Sequence, residues 1–208
     1  MTTDKRPWMF LKIVESLIRS DEEEYISEEL KKWYLNKEKN IEMWNDKENR
    51  ISFGEDLDKA QIKFIMVGDG PQFERVSRIV KENKKLTDKI ILVGHTSDVR
   101  KYLEIMDCFV LTSKVEGLPN VIIEAQYSGI PVISTDAGGA RECIIENTTG
   151  LICDIGNEYQ IPKMVLNTIK DHEMINNSRK EGPRFILKKF GEKNWAKNIN
   201  KLYSEVLK

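Results

Sequence analysis

Short apolar runs alternate with amphipathic stretches over the last two thirds of the chain. Each run is apolar throughout, rather than alternating with polar residues, which is typical of strands covered on both faces of a parallel sheet. Because helical spacing separates the runs, the pattern predicts βαβ units and an α/β fold. The predicted strands lie at 62–67, 89–93, 108–111, 131–134 and 150–153.

Helical spacing of apolar residues also precedes and follows these strands. At the N-terminal end, residues 7–18 show this spacing, and Pro7 suits the first turn of a helix. The same criterion predicts helices at 73–83, 99–106, 121–128, 158–170, 175–190 and 192–207.

Residues 20–60 break this pattern. They are crowded with charged side chains, among which lie Trp33, Tyr34, Met43 and Trp44. Two interpretations are open: a charged helical excursion on the surface, or a docking surface for a protein partner or a membrane. Deletion tests the difference, because an excursion can be removed with the fold and ligand binding intact.

Composition excludes several classes of protein. The 208 residues suit one globular domain, and 33 Lys and Arg against 34 Asp and Glu give no electrostatic case for nucleic acid. Three cysteines without a Cys-x-x-Cys pair argue against a disulfide framework or a zinc cluster. No apolar run approaches the roughly 18–20 residues of a membrane span, and the N-terminus does not resemble a signal peptide. We therefore expect a cytoplasmic protein, at most peripheral on the inner face of the plasma membrane.

The loop after the third predicted strand carries the most chemical information. Glu116 lies in this loop, and Glu124 lies eight positions later in a helix that begins near Pro119. A helix N-terminus attracts phosphate through its free N–H groups and its dipole. Glu124 is then close enough to accept hydrogen bonds from sugar hydroxyls beside the phosphate. A glutamate in the first turns also complements the dipole alone, so the spacing by itself leaves both interpretations open.

Two weaker features add little. Asp56-Leu57-Asp58 has the form of a metal-binding pair, but it precedes a strand instead of following one. His95 follows a predicted strand and reads equally well as a turn residue or as a contact to a ligand.

The surrounding string resembles the donor-binding half of family 4 retaining glycosyltransferases. The matching segments are FIMVGDGP (64–71), KIILVGHTSDVRKYLEIMDCFVLTSKVEGLPNVIIEAQYSGIPVIST (89–135) and DAGGARECIIENTTGLIC (136–153). Residues 4–13 (DKRPWMFLKI) resemble the segment that follows the first strand of that half. The resemblance implies a Rossmann-like parallel sheet flanked by helices, which is the C-terminal half of the GT-B fold.

The resemblance also implies a domain organisation. Residues 1–208 form one donor-binding domain whose first strand is missing, with 20–60 as an insertion and the acceptor domain outside this chain. The arginine that accompanies Lys5 in the family is missing with that strand. We therefore expect this chain to bind donor weakly on its own and to transfer nothing.

Site residues follow from the same resemblance. Glu116 contacts the donor sugar as the catalytic residue, Glu124 holds the ribose hydroxyls, and Lys5 contacts the diphosphate. Backbone contacts to sugar, diphosphate and base come from Gly117, Leu118, Pro119, Asn120, Val121 and Thr96. No metal or other cofactor is implied, because a lysine and a helix N-terminus can supply the positive charge that a leaving diphosphate needs.

The implied reaction moves a sugar from a nucleotide-sugar, a UDP-sugar before a GDP-sugar, to a glycan or lipid-linked acceptor with retention at the anomeric carbon. In the family the acceptor hydroxyl attacks on the face that the diphosphate leaves. Bacterial cell-surface polysaccharide synthesis is the expected setting. Two alternatives stay open: a non-catalytic module that binds a nucleotide-sugar or a partner, and another GT-B enzyme such as a nucleotide-sugar 2-epimerase, which lacks the EGLPNVIIEA pattern.

Overall fold

The computed structural model describes residues 5–18 and 62–207. The predictions made for 20–60 therefore lie outside the described residues. Within the described part, helices alternate with short parallel strands, and the predicted α/β class is confirmed.

The strands are β1 (Phe64–Val67), β2 (Ile90–Gly94), β3 (Phe109–Leu111), β4 (Val132–Thr135) and β5 (Gly150–Cys153). Each lies within two residues of its predicted bounds. All pairings are parallel, but the described strands form two sheets: β1 pairs with β2, and β4 lies between β3 and β5. The four residues of β4 are all buried, because this strand has a neighbour on each side.

Helices occupy the predicted stretches, with differences at their ends. The α-helices are α1 (Pro7–Ile18), α2 (Phe73–Glu82), α3 (Lys84–Lys89), α4 (Arg100–Leu103), α5 (Asn120–Tyr127), α6 (Ile161–Lys170), α7 (His172–Phe190) and α8 (Glu192–Val206). Short 3₁₀ turns cover Ala140–Cys143 and Glu158–Gln160.

Side-chain caps explain two of the differences. Helix α3 was not predicted, and it begins where Asn83 Oδ1 accepts a hydrogen bond from the N–H of Leu86 at 3.3 Å. Helix α7 begins three residues earlier than predicted, because Asp171 Oδ1 accepts from the N–H of Met174 at 2.9 Å. Both contacts satisfy N–H groups that a helix start leaves unpaired.

Helix α1 is central to the larger apolar core. Its side chains pack with residues of both sheets and of α6. A helix that is apolar on nearly all sides is typical of such a buried position. It also buries an ion pair, in which Lys12 Nζ lies 2.7 Å from Glu15 Oε2. A second core lies between α5 and β4 and includes Ile122 and Val132.

Helix α8 differs from the others because it contains no buried residue. Helical spacing predicted the helix correctly, but its large apolar side chains at Trp195, Leu202, Tyr203 and Val206 are all more than half exposed. Among 5–18 and 62–207, no helix is both long and apolar enough to cross a bilayer.

Candidate functional site

Polar and glycine-rich loops collect at the carboxyl ends of the strands. Thr112 follows β3, Asp136 follows β4, and Asp154 follows β5, so these three loops share one edge of the three-stranded sheet. Ligands of open α/β sheets bind at this edge.

Lys5 and Glu116 meet at this edge. The Nζ of Lys5 donates a hydrogen bond to Oε1 of Glu116, whose side chain is only 6% exposed, whereas that of Lys5 is 51% exposed. The backbone of Lys5 is held by Thr112, whose Oγ1 donates to the Lys5 carbonyl at 3.1 Å. Two residues that the resemblance assigns to the donor site are thus brought together, with a cation open to solvent and a carboxylate beneath it.

Arg6 fixes the segment that carries Lys5. Its φ of 48° lies in the left-handed region, which is uncommon for a residue with a side chain. Its guanidinium Nη1 lies 2.7 Å from Glu158 Oε1, and both side chains are at most 3% exposed. The second carboxylate oxygen of Glu158 accepts from the N–H of Gly156 at 2.9 Å. Sequence reasoning missed this anchor, because its two partners lie 152 positions apart.

Helix α5 begins at the same edge, as predicted. Pro119 occupies the N-cap position without a side-chain cap, and its carbonyl accepts from the N–H of Ile122 at 3.0 Å. The N–H groups of Asn120 and Val121 belong to the first turn, where a helix offers no internal acceptor. Glu124 is exposed one turn further on, and its carboxylate makes no hydrogen bond or ion pair with the other described residues. An exposed carboxylate beside unpaired N–H groups suits a ligand with both hydroxyls and phosphate.

Thr96 lies after a strand of the other sheet. It follows β2, which belongs to the two-stranded sheet, and its Oγ1 accepts from the N–H of Asp98 at 3.1 Å. In the described structure Thr96 makes no hydrogen bond with Lys5 or Glu116. Nearby, His95 Nδ1 lies 3.8 Å from Asp69 Oδ1, and both side chains are exposed.

The glycine pair after β4 supports the backbone of Glu116. The N–H of Gly139 donates to the carbonyl of Gly117 at 2.7 Å. Gly138 has a φ of +55°, and a Cβ there would lie 2.0 Å from the carbonyl oxygen of Glu116. Only glycine permits this approach. The sequence alone did not indicate which backbone this glycine pair contacts.

Arg141 is a further residue that sequence reasoning missed. Its Nε lies 2.9 Å from Asp136 Oδ2, its Nη1 2.7 Å from Glu146 Oε2, and its Nη2 3.5 Å from Asp154 Oδ1. The hydrogen bond to Asp136, followed by the nearby negative charges, raises the pKa of the Arg141 guanidinium above its ordinary value. The side chain therefore links the loops that follow β4 and β5.

Cysteine chemistry is not available near this edge. Burial raises the pKa of Cys143 to about 11 and that of Cys153 to about 12, so both are neutral thiols at physiological pH. Among the described residues, no group of three or more His, Cys, Asp and Glu side chains is arranged to hold a metal ion.

Comparison with known proteins identifies the kind of chain to which this arrangement belongs. The family model for glycosyl transferases group 1 matches residues 35–185. The match covers the loop of Glu116, the helix of Glu124 and the Gly138–Gly139 turn, whereas Lys5 lies before it. It begins inside the stretch 20–60 that sequence analysis treats as an insertion.

Curated relatives and a solved structure agree with this match. The chain is 46% identical over 92 residues to the Vi polysaccharide biosynthesis protein VipC/TviE of Salmonella typhi, covering 44% of this chain and 16% of that protein. It is 32% identical over 106 residues to UDP-Gal:alpha-D-GlcNAc-diphosphoundecaprenol alpha-1,3-galactosyltransferase of Escherichia coli, covering 51% and 24%. Anabaena Alr3699/HepE in complex with UDP-glucose has the same fold, with a TM-score of 0.61 and 22% identity over 70% of this chain and 42% of that one. The chain thus spans less than half the length of these proteins.

Proposed function

The chain belongs to the glycosyl transferases of group 1, and on that basis we propose that it binds the nucleotide-sugar donor of a retaining glycosyltransferase at the carboxyl ends of β3 and β4. The observation that carries this proposal is the meeting of Lys5 and Glu116 beside the N-terminus of α5. A solvent-accessible cation and free helix N–H groups suit a diphosphate. A carboxylate at the same place suits sugar hydroxyls.

Each proposed contact has a chemical reason. The ammonium of Lys5 and the N–H groups of Asn120 and Val121 bind the diphosphate and stabilise the negative charge that grows as it leaves. Glu124 accepts hydrogen bonds from the ribose hydroxyls. Glu116, nearly buried, accepts from hydroxyls of the donor sugar and fixes its orientation. The sugar and the diphosphate lie against the turn formed by Gly117, Leu118 and Pro119.

The proposed reaction is transfer with retention. The acceptor hydroxyl attacks the anomeric carbon on the face that the diphosphate leaves, the bond from that carbon to the diphosphate oxygen breaks, and the hydroxyl proton passes to the leaving oxygen. The cation and the helix N-terminus stabilise the negative charge that develops on the diphosphate, and so lower the energy of the transition state. Further polypeptide supplies the acceptor site, since this chain spans only part of the length of its relatives.

The donor and acceptor classes rest on the relatives. UDP is proposed as the nucleotide, because the E. coli relative is named for UDP-Gal and the Anabaena structure contains UDP-glucose. A lipid-linked or glycan acceptor and a role in surface polysaccharide synthesis are proposed from the E. coli and Salmonella names. A lipid-linked acceptor would place the reaction at the cytoplasmic face of a membrane, with the protein bound peripherally.

Calorimetric titration tests the donor site. The chain is titrated with UDP, GDP and UDP-glucose, and the titrations are repeated with Glu124→Ala. We expect saturable binding of UDP that weakens by about 10- to 100-fold in the variant, since a hydrogen bond to a charged group contributes about 1.5–3 kcal/mol. Glu173→Ala is the matched control, because Glu173 is also an exposed glutamate near the start of a helix.

Two results would contradict the proposal. One is a folded wild-type chain that binds no nucleotide, and the other is equal weakening in Glu124→Ala and the control. A sugar-transfer assay on a polypeptide that also contains the acceptor site separates an enzyme from a binding module, because a module binds the donor without turnover.

A further inference from the structure

The loop between β4 and β5 is closed by one side chain. Arg141 uses all three of its guanidinium nitrogens, and the carboxylates it meets come from three separate places in the chain. Asp136 directly follows β4, Asp154 directly follows β5, and Glu146 pairs by an isolated bridge with Gly150 at the start of β5.

This arrangement differs from an ordinary surface ion pair. A single exposed pair contributes little, but Arg141 donates hydrogen bonds to Asp136 and Glu146 through two nitrogens of its planar fork, and its third nitrogen lies 3.5 Å from Asp154. The side chain of Arg141 is 46% exposed and that of Asp136 33% exposed, so the cluster lies at the surface. Its several carboxylate contacts nevertheless restrict the position of the Arg141 side chain.

The closed loop contacts the catalytic region directly. Between Asp136 and Arg141 lie Gly138 and Gly139, whose backbone touches that of Glu116 and Gly117. With no space for even a Cβ at Gly138, a shift of this loop towards the sheet edge must move Glu116, and a shift away must break the bond from Gly139 to Gly117.

We propose that Arg141 is a positioning residue for donor-sugar recognition, acting through the Gly138–Gly139 turn on Glu116. The inference rests on the proposed function, which makes Glu116 the contact to the sugar. We expect the effect to fall on the sugar rather than on the ribose, because the ribose contact is assigned to Glu124, whereas the Arg141 side chain pairs with Asp136, Glu146 and Asp154.

A side chain of helix α7 also contacts the same loop. Lys189 Nζ on α7 donates to the carbonyl of Glu142 at 2.8 Å and lies 3.6 Å from its carboxylate. This contact anchors the end of the 3₁₀ turn rather than the glycine pair. We therefore expect the loop to remain folded without Arg141 while the glycine pair loses its fixed position.

The test compares Arg141→Gln with wild type in two measurements. The first is the affinity for UDP and for UDP-glucose, UDP-galactose and UDP-N-acetylglucosamine. For the sugar that wild type binds, the ratio of the UDP-sugar Kd to the UDP Kd should rise about 5- to 10-fold, while the UDP Kd and the Tm change little. The second is amide hydrogen exchange in the free chain, where the Gly139 N–H should exchange at least tenfold faster.

Two further variants sharpen the result. Arg100→Gln is the matched control, since Arg100 forms an exposed pair with Glu104, the residue that follows α4, and it should change neither measurement. Arg141→Lys keeps the charge but loses the fork, so it should not restore the wild-type ratio.

The outcomes are distinct. If wild type does not bind UDP, the proposed function fails, while hydrogen exchange still decides whether Arg141 fixes the glycine pair. If wild type binds both ligands, an unchanged ratio in Arg141→Gln overturns the inference alone. Unchanged exchange at Gly139 overturns it in either case, and so does full restoration by lysine.

Discussion

The ammonium of Lys5 contacts the carboxylate of Glu116 across a sequence separation of 111 residues. The lysine precedes the first described helix, and the glutamate follows β3 in the middle of the chain. The two groups neutralise each other. A diphosphate would compete with Glu116 for the lysine and leave the carboxylate available to sugar hydroxyls.

Removal of this lysine should weaken binding of diphosphates selectively. We expect Lys5→Gln to raise the Kd for UDP by about 10-fold or more and to leave the weak binding of uridine unchanged, because only UDP carries the charge that the ammonium meets. Isothermal titration with both ligands measures the difference. Lys101→Gln, at an exposed lysine on α4, is the control. Equal loss of affinity for uridine and UDP would refute the assignment of Lys5 to the diphosphate.

The buried pair of Arg6 and Glu158 should be important for stability. Glu158→Gln removes the negative charge that lies 2.7 Å from the Arg6 guanidinium, and loss of one member of a buried pair costs about 3–5 kcal/mol. Urea unfolding measures this change in the free energy of unfolding. Glu104→Gln breaks an exposed pair with Arg100 and should cost about 0.5 kcal/mol or less. Similar losses in the free energy of unfolding for the two variants would show that the buried pair stabilises the fold no more than the exposed pair does.

A methyl group at Gly138 should displace the backbone of Glu116. Gly138→Ala combines a left-handed φ of +55° with a Cβ placed 2.0 Å from a carbonyl oxygen. We therefore expect the free energy of unfolding to fall by at least about 2 kcal/mol. We also expect weaker binding of the UDP-sugar, because the backbone of Glu116 is displaced. Gly70→Ala is the matched control, because Gly70 also follows a strand and a Cβ there meets nothing within 4 Å. Thermal unfolding and titration compare the two. Equal stability and equal UDP-sugar affinity of the two variants would contradict the predicted clash at Gly138.

Alkaline pH should destabilise the fold through the buried thiols. In the folded chain the pKa of Cys153 rises from 9.0 to about 12, mainly because burial disfavours the thiolate. A raised folded pKa gives a stabilising contribution that is complete below about pH 9 and is lost as the pH rises towards about 12. Urea unfolding between about pH 8 and pH 11 should therefore show a shallower decline for Cys153→Ala than for wild type. Parallel declines would contradict this.

The sequence predicted local structure more fully than the site. Five apolar runs and the helical spacing between them placed every described strand and most helices, because these elements depend on neighbouring residues. The loop of Glu116 was recognised through its resemblance to a family. The residues that hold this loop and the Lys5 segment in place could not be predicted from the sequence. The contacts of Gly138 with Glu116 and of Arg6 with Glu158 depend on loop shape and on residues far apart in the chain.

Helix α8 shows a second limit of sequence patterns. Its apolar spacing predicted a helix, and the helix is present. The pattern could not indicate whether the described chain supplies a surface for that face. Trp195 and Leu202 remain exposed, which periodicity alone does not reveal.

The long separation between the members of the site has a consequence for biosynthesis. The segment of Lys5 leaves the ribosome before the other members of the site, but Arg6 is held by Glu158, which is translated 152 residues later. Loop closure over such a distance is entropically costly and comes after local elements have formed. The site is therefore assembled near the end of folding, and a nascent chain interrupted before Glu158 would contain the glutamates of α5 and its preceding loop without a positioned lysine.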